Sequence, residues 1–331
     1  MRSFALWYSI NNECSSKNKE VKVHVNLWNK GKNNKKEYCF DFGLLVDDIS
    51  EIENIYLYCP FNLVKSQIED LGSVISDNKL INAIFNENFT TTDGEPKRLI
   101  VNSPLNKPRF IIYSLEVERQ VDLRTCKRDS EIPGTIVVIK VNDIKYDALL
   151  KYYFRIRITV PNDDIHLIND QIKGVSIFNS HFTNTEVIDF RLNDIRSCSE
   201  ELREQFNKGE GFKITAVHYL ILRNANDVII HHGKEMTSRM LEDDLWSKYI
   251  KDLDYDIIAY HLKSKAKLDN AGNVETYVED FSALTRFQYE KGTRKILAMY
   301  IVGIILFGSI GGVIGNGLTT LLIKLFEKLF N

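Results

Sequence analysis

Apolar and polar residues alternate with a period of two along most of the first 160 residues, the spacing that lets a strand bury one face. In "VKVHVNLW", Val21, Val23, Val25 and Leu27 fall on one side and Lys22, His24 and Asn26 on the other. "YCFDFGLLV" gathers Tyr38, Phe40, Phe42 and Leu44 in the same way. "FALWYSI", "IENIYLYCPF", "RLIVNS", "RFIIYSLEV", "GTIVVIKVN" and "YYFRIRITV" read as further strands, rich in β-branched and aromatic residues. Turn-forming clusters such as "NKGKNN", "TDGEPK" and "SPLNKP" separate them. Strands resume at "FKITAVHYLILRN", "DVIIHH" and "YDIIAYHLKSK".

Helical spacing is rarer. "SQIEDLGSVI" and "DNKLINAIFNE" predict a short helical pair, the second capped by Asp77. "SCSEELREQF" sets Ser197 three residues before Glu200, a capping-box spacing. "SRMLEDDLWSKYI" is a fourth candidate. The pattern predicts a mainly β fold with a few helices, a sandwich or open barrel of α+β type, followed by one C-terminal transmembrane helix.

That last element rests on Ile296–Ile323, a run of 28 residues without a charge. A bilayer core of about 30 Å needs roughly 20 helical residues. Two short helices broken at "GSIGGVIGNG" would each fall short of that, so one span is expected. It ends in a short amphipathic, interfacial turn carrying Lys324, Glu327 and Lys328. Arg286, Lys291, Arg294 and Lys295 outnumber Lys324 and Lys328 across the run, which puts the N-terminal side in the cytoplasm. The first twenty residues lack the features of a signal peptide. The expected organisation is a cytoplasmic β-rich sensing and oligomerisation region over residues 1–288, of one or two lobes. Residues 289–331 then form a single pass through the inner membrane, with the amphipathic tail.

Glycine spacing within the run matters for assembly. Gly308 and Gly312 form one GxxxG pair, and Gly311 and Gly315 a second. Small residues at this spacing let helix backbones approach closely, which predicts a homo-oligomer packed through these four glycines. Asn316, Thr319 and Thr320 share one helix face and are the candidate pore-facing residues. The opposing reading is that glycine is simply common in membrane helices.

Composition narrows the function classes. The five cysteines, Cys14, Cys39, Cys59, Cys126 and Cys198, are scattered without a CxxC pair, against a disulfide scaffold or a zinc ribbon. Net charge is −2, and from Arg286 onward six basic residues face two acidic ones, so the preceding region carries about −6. Such a region is not a bulk duplex-DNA binder, but a local basic groove for a small anion remains open. "KYYFRIRITV" points to one: Lys151, Tyr153, Arg155 and Arg157 alternate with Tyr152, Phe154, Ile156 and Ile158. Guanidinium forks suit phosphates, and an aromatic ring can stack a base. "LRTCKR" adds Arg124, Lys127 and Arg128. The opposing reading is an ordinary solvated strand face balanced by acidic neighbours.

Catalytic signatures are missing: there is no P-loop, GxSxG elbow or HExxH. "GGVIGNG" lies inside the expected span and is no dinucleotide fingerprint. His231 and His232 are adjacent on a strand and point apart, His218 reads as structural, and Asp163–Asp164 and Asp243–Asp244 read as solvated pairs. A non-enzymatic protein with no cofactor and no metal is expected.

The overall architecture, "GSIGGVIGNG", "IYLYCPFNLVKSQIEDLG" and "LINAIFNEN" resemble the transmembrane effectors of bacterial anti-phage defence, of the Hailong type. The resemblance implies a homo-oligomeric channel effector in the inner membrane. It also implies a nucleotide signal, a single-stranded oligodeoxyadenylate made by a partner nucleotidyltransferase, that binds the cytoplasmic region and controls gating. A cyclic nucleotide is the alternative signal. The basic stripe then becomes the candidate ligand-binding surface. The competing class is a tail-anchored binding or scaffold protein with no channel activity.

Overall fold

A computed structural model describes residues 3–11, 18–30, 37–76, 78–94, 98–105, 107–127, 133–144, 147, 150–161, 164–165, 168–172, 183–247, 249, 256–290 and 293–330. Strands take 50% of the chain and helices 24%, so the protein is mainly β, with a C-terminal apolar helix that could span a membrane. The strands are β1 (Ala5–Ile10), β2 (Glu20–Lys30), β3 (Glu37–Val46), β4 (Ile52–Cys59), β5 (Ile68–Asp70), β6 (Thr90–Asp93), β7 (Arg98–Asn102), β8 (Pro108–Tyr113), β9 (Val121–Cys126), β10 (Gly134–Lys140) and β11 (Lys151–Pro161). They continue as β12 (Asn169–Ile172), β13 (Thr183–Leu192), β14 (Glu210–Gly211), β15 (Lys213–Asn224), β16 (Val228–His232), β17 (Met236–Met240), β18 (Ile257–Lys265), β19 (Lys267–Leu268), β20 (Val274–Thr276) and β21 (Phe281–Glu290).

A ten-stranded sheet runs β17-β18-β15-β2-β3-β11-β8-β7-β6, with β5 also on β11. It is mixed: β15 pairs β2 and β11 pairs β8 in parallel, and the other pairings are antiparallel. A five-stranded sheet runs β14-β1-β4-β10-β9, and a four-stranded one β12-β13-β21-β16. The largest core cluster joins Val21, Val23, Val25 and Leu27 of β2 to Leu57 of β4, Val137 of β10, Phe190 of β13 and Phe281 of β21. The inner faces of the sheets therefore meet there, and period two in the sequence selects which side chains enter.

The other face of the large sheet is buried as well. Trp28, Cys39, Leu45 and Tyr153 pack there with Leu80 and Ile81 of the helix Asn78–Phe85, and with Leu241, Trp246 and Tyr249 of a strap between β17 and β18. A third cluster packs Ala5, Trp7, Tyr58 and Ile136 against Leu202 of the helix Glu200–Lys208. The polar side of β11 at Arg155 and Arg157 is thus an interior surface, which runs against the opposing reading of a solvated strand face: Arg155 is 1% exposed and Arg157 8%.

Burying those arginines requires partners. Asp41, across the ladder from Arg157, accepts from its Nε at 2.7 Å and its Nη2 at 3.0 Å. The same carboxylate accepts from the indole N–H of Trp28 at 2.7 Å and the Tyr249 hydroxyl at 2.8 Å. Arg157 Nη1 donates to the Tyr249 carbonyl at 3.2 Å. Arg155 and Arg157 both lie over the Tyr249 ring, 5.3 and 5.0 Å from its centre. A second buried pair joins two sheets: Glu186 of β13 accepts from Arg223 of β15 at 3.1 Å and from the Tyr38 hydroxyl at 2.5 Å.

Three expected helical features are corrected. "SQIEDLGSVI" forms a 3-10 turn at Lys65–Gln67, then β5, then a turn in which the Asp70 carboxylate accepts from the amides of Gly72 and Ser73, both at 3.1 Å. A side chain that satisfies nearby amides in this way competes with helix formation. The cap of Glu200–Lys208 is Ser199, whose hydroxyl accepts from the Leu202 amide, while Ser197 donates to the Asp194 carbonyl. In "SRMLEDDLWSKYI", Met236–Met240 pairs with β18 as a strand, and only Asp243–Trp246 is helical. Asp77, Cys14 and Asp163 lie outside the described residues.

The chain divides into two compact units, Met1–Gln171 with Glu186–Phe287, and Ile172–Thr185 with Gln288–Asn331. In the second, one unbroken helix covers Thr293–Phe330 and passes through "GSIGGVIGNG". Its segment Leu297–Leu329, 33 residues containing an 18-residue stretch with a mean hydropathy of 2.3, is long and apolar enough to cross a membrane.

Replacing Asp41 by Ala strands Arg157 in the interior without a counter-charge. A loss of about 3–5 kcal/mol is expected, measured by denaturant unfolding of the full chain in detergent. A change below about 1 kcal/mol would show the network to be incidental.

Candidate anion-binding cavity

The outer face of the ten-stranded sheet carries polar side chains at positions that alternation alone would send to water. Strand register brings them together. His24 on β2 lies beside His218 on β15, which lies beside Lys263 on β18. One row on, Asn26 neighbours Leu220, and Leu220 neighbours His261. On the other side His24 is in register with Gly43, and Gly43 with Arg155 of β11. Gly43 is required by close approach: a Cβ there would collide with the Tyr153 hydroxyl.

These rows floor a cavity of about 570 Å³. Lys22, His24 and Arg155 lie on one side, His218, His261 and Lys263 on the other. Ala83–Glu87, the end of the helix Asn78–Phe85 and the residues after it, form one wall. Thr237, Arg239 and Trp246, from β17 and the strap, form the other. Arg239 Nη2 donates to the Ala83 carbonyl at 3.3 Å and joins the two walls.

The hydrogen bonds on the floor are directional. Arg155 donates through Nε to the Tyr249 hydroxyl and through Nη1 to the Tyr153 hydroxyl, both at 2.6 Å. The Tyr153 hydroxyl, already accepting, has its proton free for His24 Nδ1, 3.3 Å away. That leaves Arg155 Nη2, which is buried without a hydrogen-bond partner, as is the indole N–H of Trp246. Unmet buried donors on cavity-lining side chains are features of a site for an acceptor ligand.

The histidines are packed together. His24 and His218 have ring centres 5.0 Å apart at 74°, and His218 stacks on His261 at 5.3 Å and 16°. His218 Nδ1 and His261 Nε2 are 3.2 Å apart. Burial, then the positive charges around it, holds His24 well below the ordinary imidazole value. Burial, then Lys263 and His261, pushes His218 down to about 3. His261 is lowered by burial and by Lys263 and Arg239, and Lys263 by burial and by Lys265 and Lys22. At neutral pH the three rings are uncharged. Among the described residues, Lys22, Arg155, Arg239 and Lys263 then face a single lining carboxylate, Glu87. The arrangement can bind an anion with several negative oxygens.

The residues singled out in the sequence do not form one surface. Arg155 lines the cavity, and Tyr153 is buried beneath it. Arg157 is engaged by Asp41, and Lys151 pairs with Asp47 at 2.7 Å at the surface. Arg124 is exposed on β9 of the five-stranded sheet, 5.9 Å from the centre of the Tyr56 ring. Lys127 follows that strand, and its amide donates to Glu201 at 3.0 Å. Neither lines the cavity, and Arg128 lies outside the described residues. His218, read as structural, is a cavity residue, and Lys22, His24, Arg239, Trp246, His261 and Lys263 were missed. Apart from Trp246, which lies on the helix Asp243–Trp246, they sit on strands β2, β15, β17 and β18, whose adjacency the sequence does not reveal. Among the described residues no group of three or more His, Cys, Asp or Glu could hold a metal ion.

In the apolar helix, Gly308, Gly311, Gly312 and Gly315 have nothing within 4 Å of where a Cβ would lie. The hydroxyls of Ser309, Thr319 and Thr320 donate to the carbonyls four residues back, each at 2.8 Å. Thr319 and Thr320 are therefore satisfied within the helix, and Asn316 is the polar side chain that most needs a partner.

Neither the protein-family models nor the curated proteins compared with the chain match it.

The depressed histidines bind protons more readily in the unfolded chain than in the folded one. Stability is therefore full above the ordinary imidazole value and falls as pH drops from there towards the folded value. Thermal melts of the full chain in detergent are expected to show a steep decline between about pH 7 and pH 5. In His218→Gln that decline is expected to be shallower, and an unchanged slope would count against a buried neutral His218.

Proposed function

We propose that this protein is a membrane effector of bacterial anti-phage defence, in which a nucleotide signal bound by the β-rich cytoplasmic region controls ion flow through an oligomer of the C-terminal helix. The observation that carries the reading is the cavity: an excess of cations and two buried, unmet donors in a chain with a helix fit to cross a membrane. Its volume is that of a small-molecule site, and it supplies phosphate-binding guanidinium and ammonium groups beside aromatic rings. A signal that binds the closed assembly better than the open one holds the channel shut, and its loss shifts the population towards the open state. In this reading the signal is an oligodeoxyadenylate from a partner nucleotidyltransferase, and the protein sits in the inner membrane as a homo-oligomer.

Close approach of the helices through Gly308, Gly311, Gly312 and Gly315 lets Asn316 find its partner in a neighbouring copy. One observation favours the alternative, a tail-anchored binding protein without a channel. Thr319 and Thr320 spend their hydroxyls inside the helix and need no water-filled axis.

Ion flux from vesicles containing the purified full chain separates the two. Flux that responds to oligodeoxyadenylate and vanishes in Gly308→Leu/Gly312→Leu is expected; membrane insertion without flux in any state would leave only the anchor. Arg155→Ala is expected to weaken oligonucleotide binding by about tenfold or more, the worth of a charge-assisted hydrogen bond. Arg124→Ala and Lys127→Ala are expected to bind as the parent does, which titration of each variant checks.

A further inference from the structure

The cavity has a floor as well as walls, and its depth constrains what can reach it. Arg155 and His24, 1% and 6% exposed, lie at the bottom, and the bridge from Arg239 to the Ala83 carbonyl spans the walls. The Nη2 of Arg155 is a buried donor there without a hydrogen-bond partner. An internal phosphodiester carries a nucleoside on each of two oxygens, and both would have to leave the recess. A terminal phosphate carries one and can enter end-on. A volume of about 570 Å³ suits a single nucleotide.

Charge points the same way. Lys22 on β2, Arg155 on β11, Arg239 on β17 and Lys263 on β18 face the histidines, with Lys265 further along β18. Among the described residues Glu87 is the one acidic lining residue, and Tyr153 reaches His24 through its hydroxyl. A phosphate monoester is a dianion at neutral pH and a diester a monoanion, so the monoester offsets more of this excess. We propose that the recess captures the terminal phosphate monoester of a nucleotide ligand on Arg155, and that a proton from solvent enters the His24–His218–His261 cluster with it. The inference rests on the nucleotide-signal reading above and specifies which part of the ligand is recognised.

The proton follows from geometry. The three rings form a contiguous cluster, and His218 and His261 already share a ring-nitrogen contact of 3.2 Å. Burial, then the surrounding cations, lowers the proton affinity of all three rings. A dianion beside Arg155 reverses the sign of the local field and favours the imidazolium. Binding is therefore tighter at lower pH, by up to about tenfold per pH unit for each proton taken up.

The test is calorimetry on the full chain in detergent. The probes are one short oligodeoxyadenylate in three forms: 5′-phosphorylated, 3′-phosphorylated and with hydroxyls at both ends. Titrations at about pH 7.5, above the second phosphate ionisation, use two buffers of different ionisation enthalpy. One phosphorylated form is expected to bind about tenfold or more tighter than the hydroxyl form, with heats that differ between buffers by uptake of up to one proton. His218→Gln is expected to keep the phosphate preference and lose most of the uptake. Arg155→Lys, which retains a charge should Arg155→Ala fail to fold, is expected to lose the preference.

Equal affinity for all three forms, or identical heats in both buffers, overturns the inference and leaves oligonucleotide sensing intact. Failure of every form to bind removes the sensing reading together with it.

Discussion

A carboxylate with no exposed surface has to be matched by donors, and Asp41 is matched from three parts of the chain. Arg157 reaches it twice from β11, Trp28 once from β2, and Tyr249 once from the strap, 208 residues away. Left unmatched, such a charge is worth several kcal/mol against the fold. Satisfying it fixes the strap against the sheet. With the strap come Trp246, which walls the cavity, and the Tyr249 hydroxyl, which orients Arg155. The site is thus organised by an ion pair that is not itself among the cavity-lining residues.

The two arginines of β11 show how neighbouring residues on one strand face are given different tasks. Arg157 has a bidentate carboxylate and is electrically matched. Arg155, two residues earlier, donates to tyrosine hydroxyls, and Asp41 acts on it only through space, without a direct ion pair. One guanidinium is a strut and the other a source of positive potential. The neutral histidines beside Arg155 keep that potential tolerable until a counter-ion arrives. Gly43 makes the arrangement possible by leaving the space that the Tyr153 hydroxyl fills.

Most strands could be read from alternation, because a face that packs into the main core imposes period two on Val21–Leu27 or Tyr152–Ile158 regardless of their neighbours. Arg155 was legible for the same reason. What alternation does not carry is whether the second face meets water. Lys22, His24 and Asn26 look outward in sequence, and only the covering helix and strap make theirs an inner face. Sheet order was equally hidden: nothing local announces that β2 lies beside β15 in parallel, the pairing that sets His24 against His218. The helical misreadings were of two kinds. "SQIEDLG" has helical composition, but Asp70 spends its carboxylate on a turn, and a Cβ at Gly72 would meet the Tyr113 carbonyl. Met236–Met240 is a strand because β18 is there to pair with it, a tertiary decision over a local preference.

The parallel junction between β2 and β15 couples residues far apart in the chain, with Val21 against Ile214. Such pairing has high contact order and is slow to form. The anion recess needs β18 as well, since His261 and Lys263 come from it. A growing polypeptide on the ribosome therefore has no competent recess until residue 263 has emerged. The recess is thus confined to molecules whose synthesis and folding have advanced that far, and partial products lack the β18 side of it.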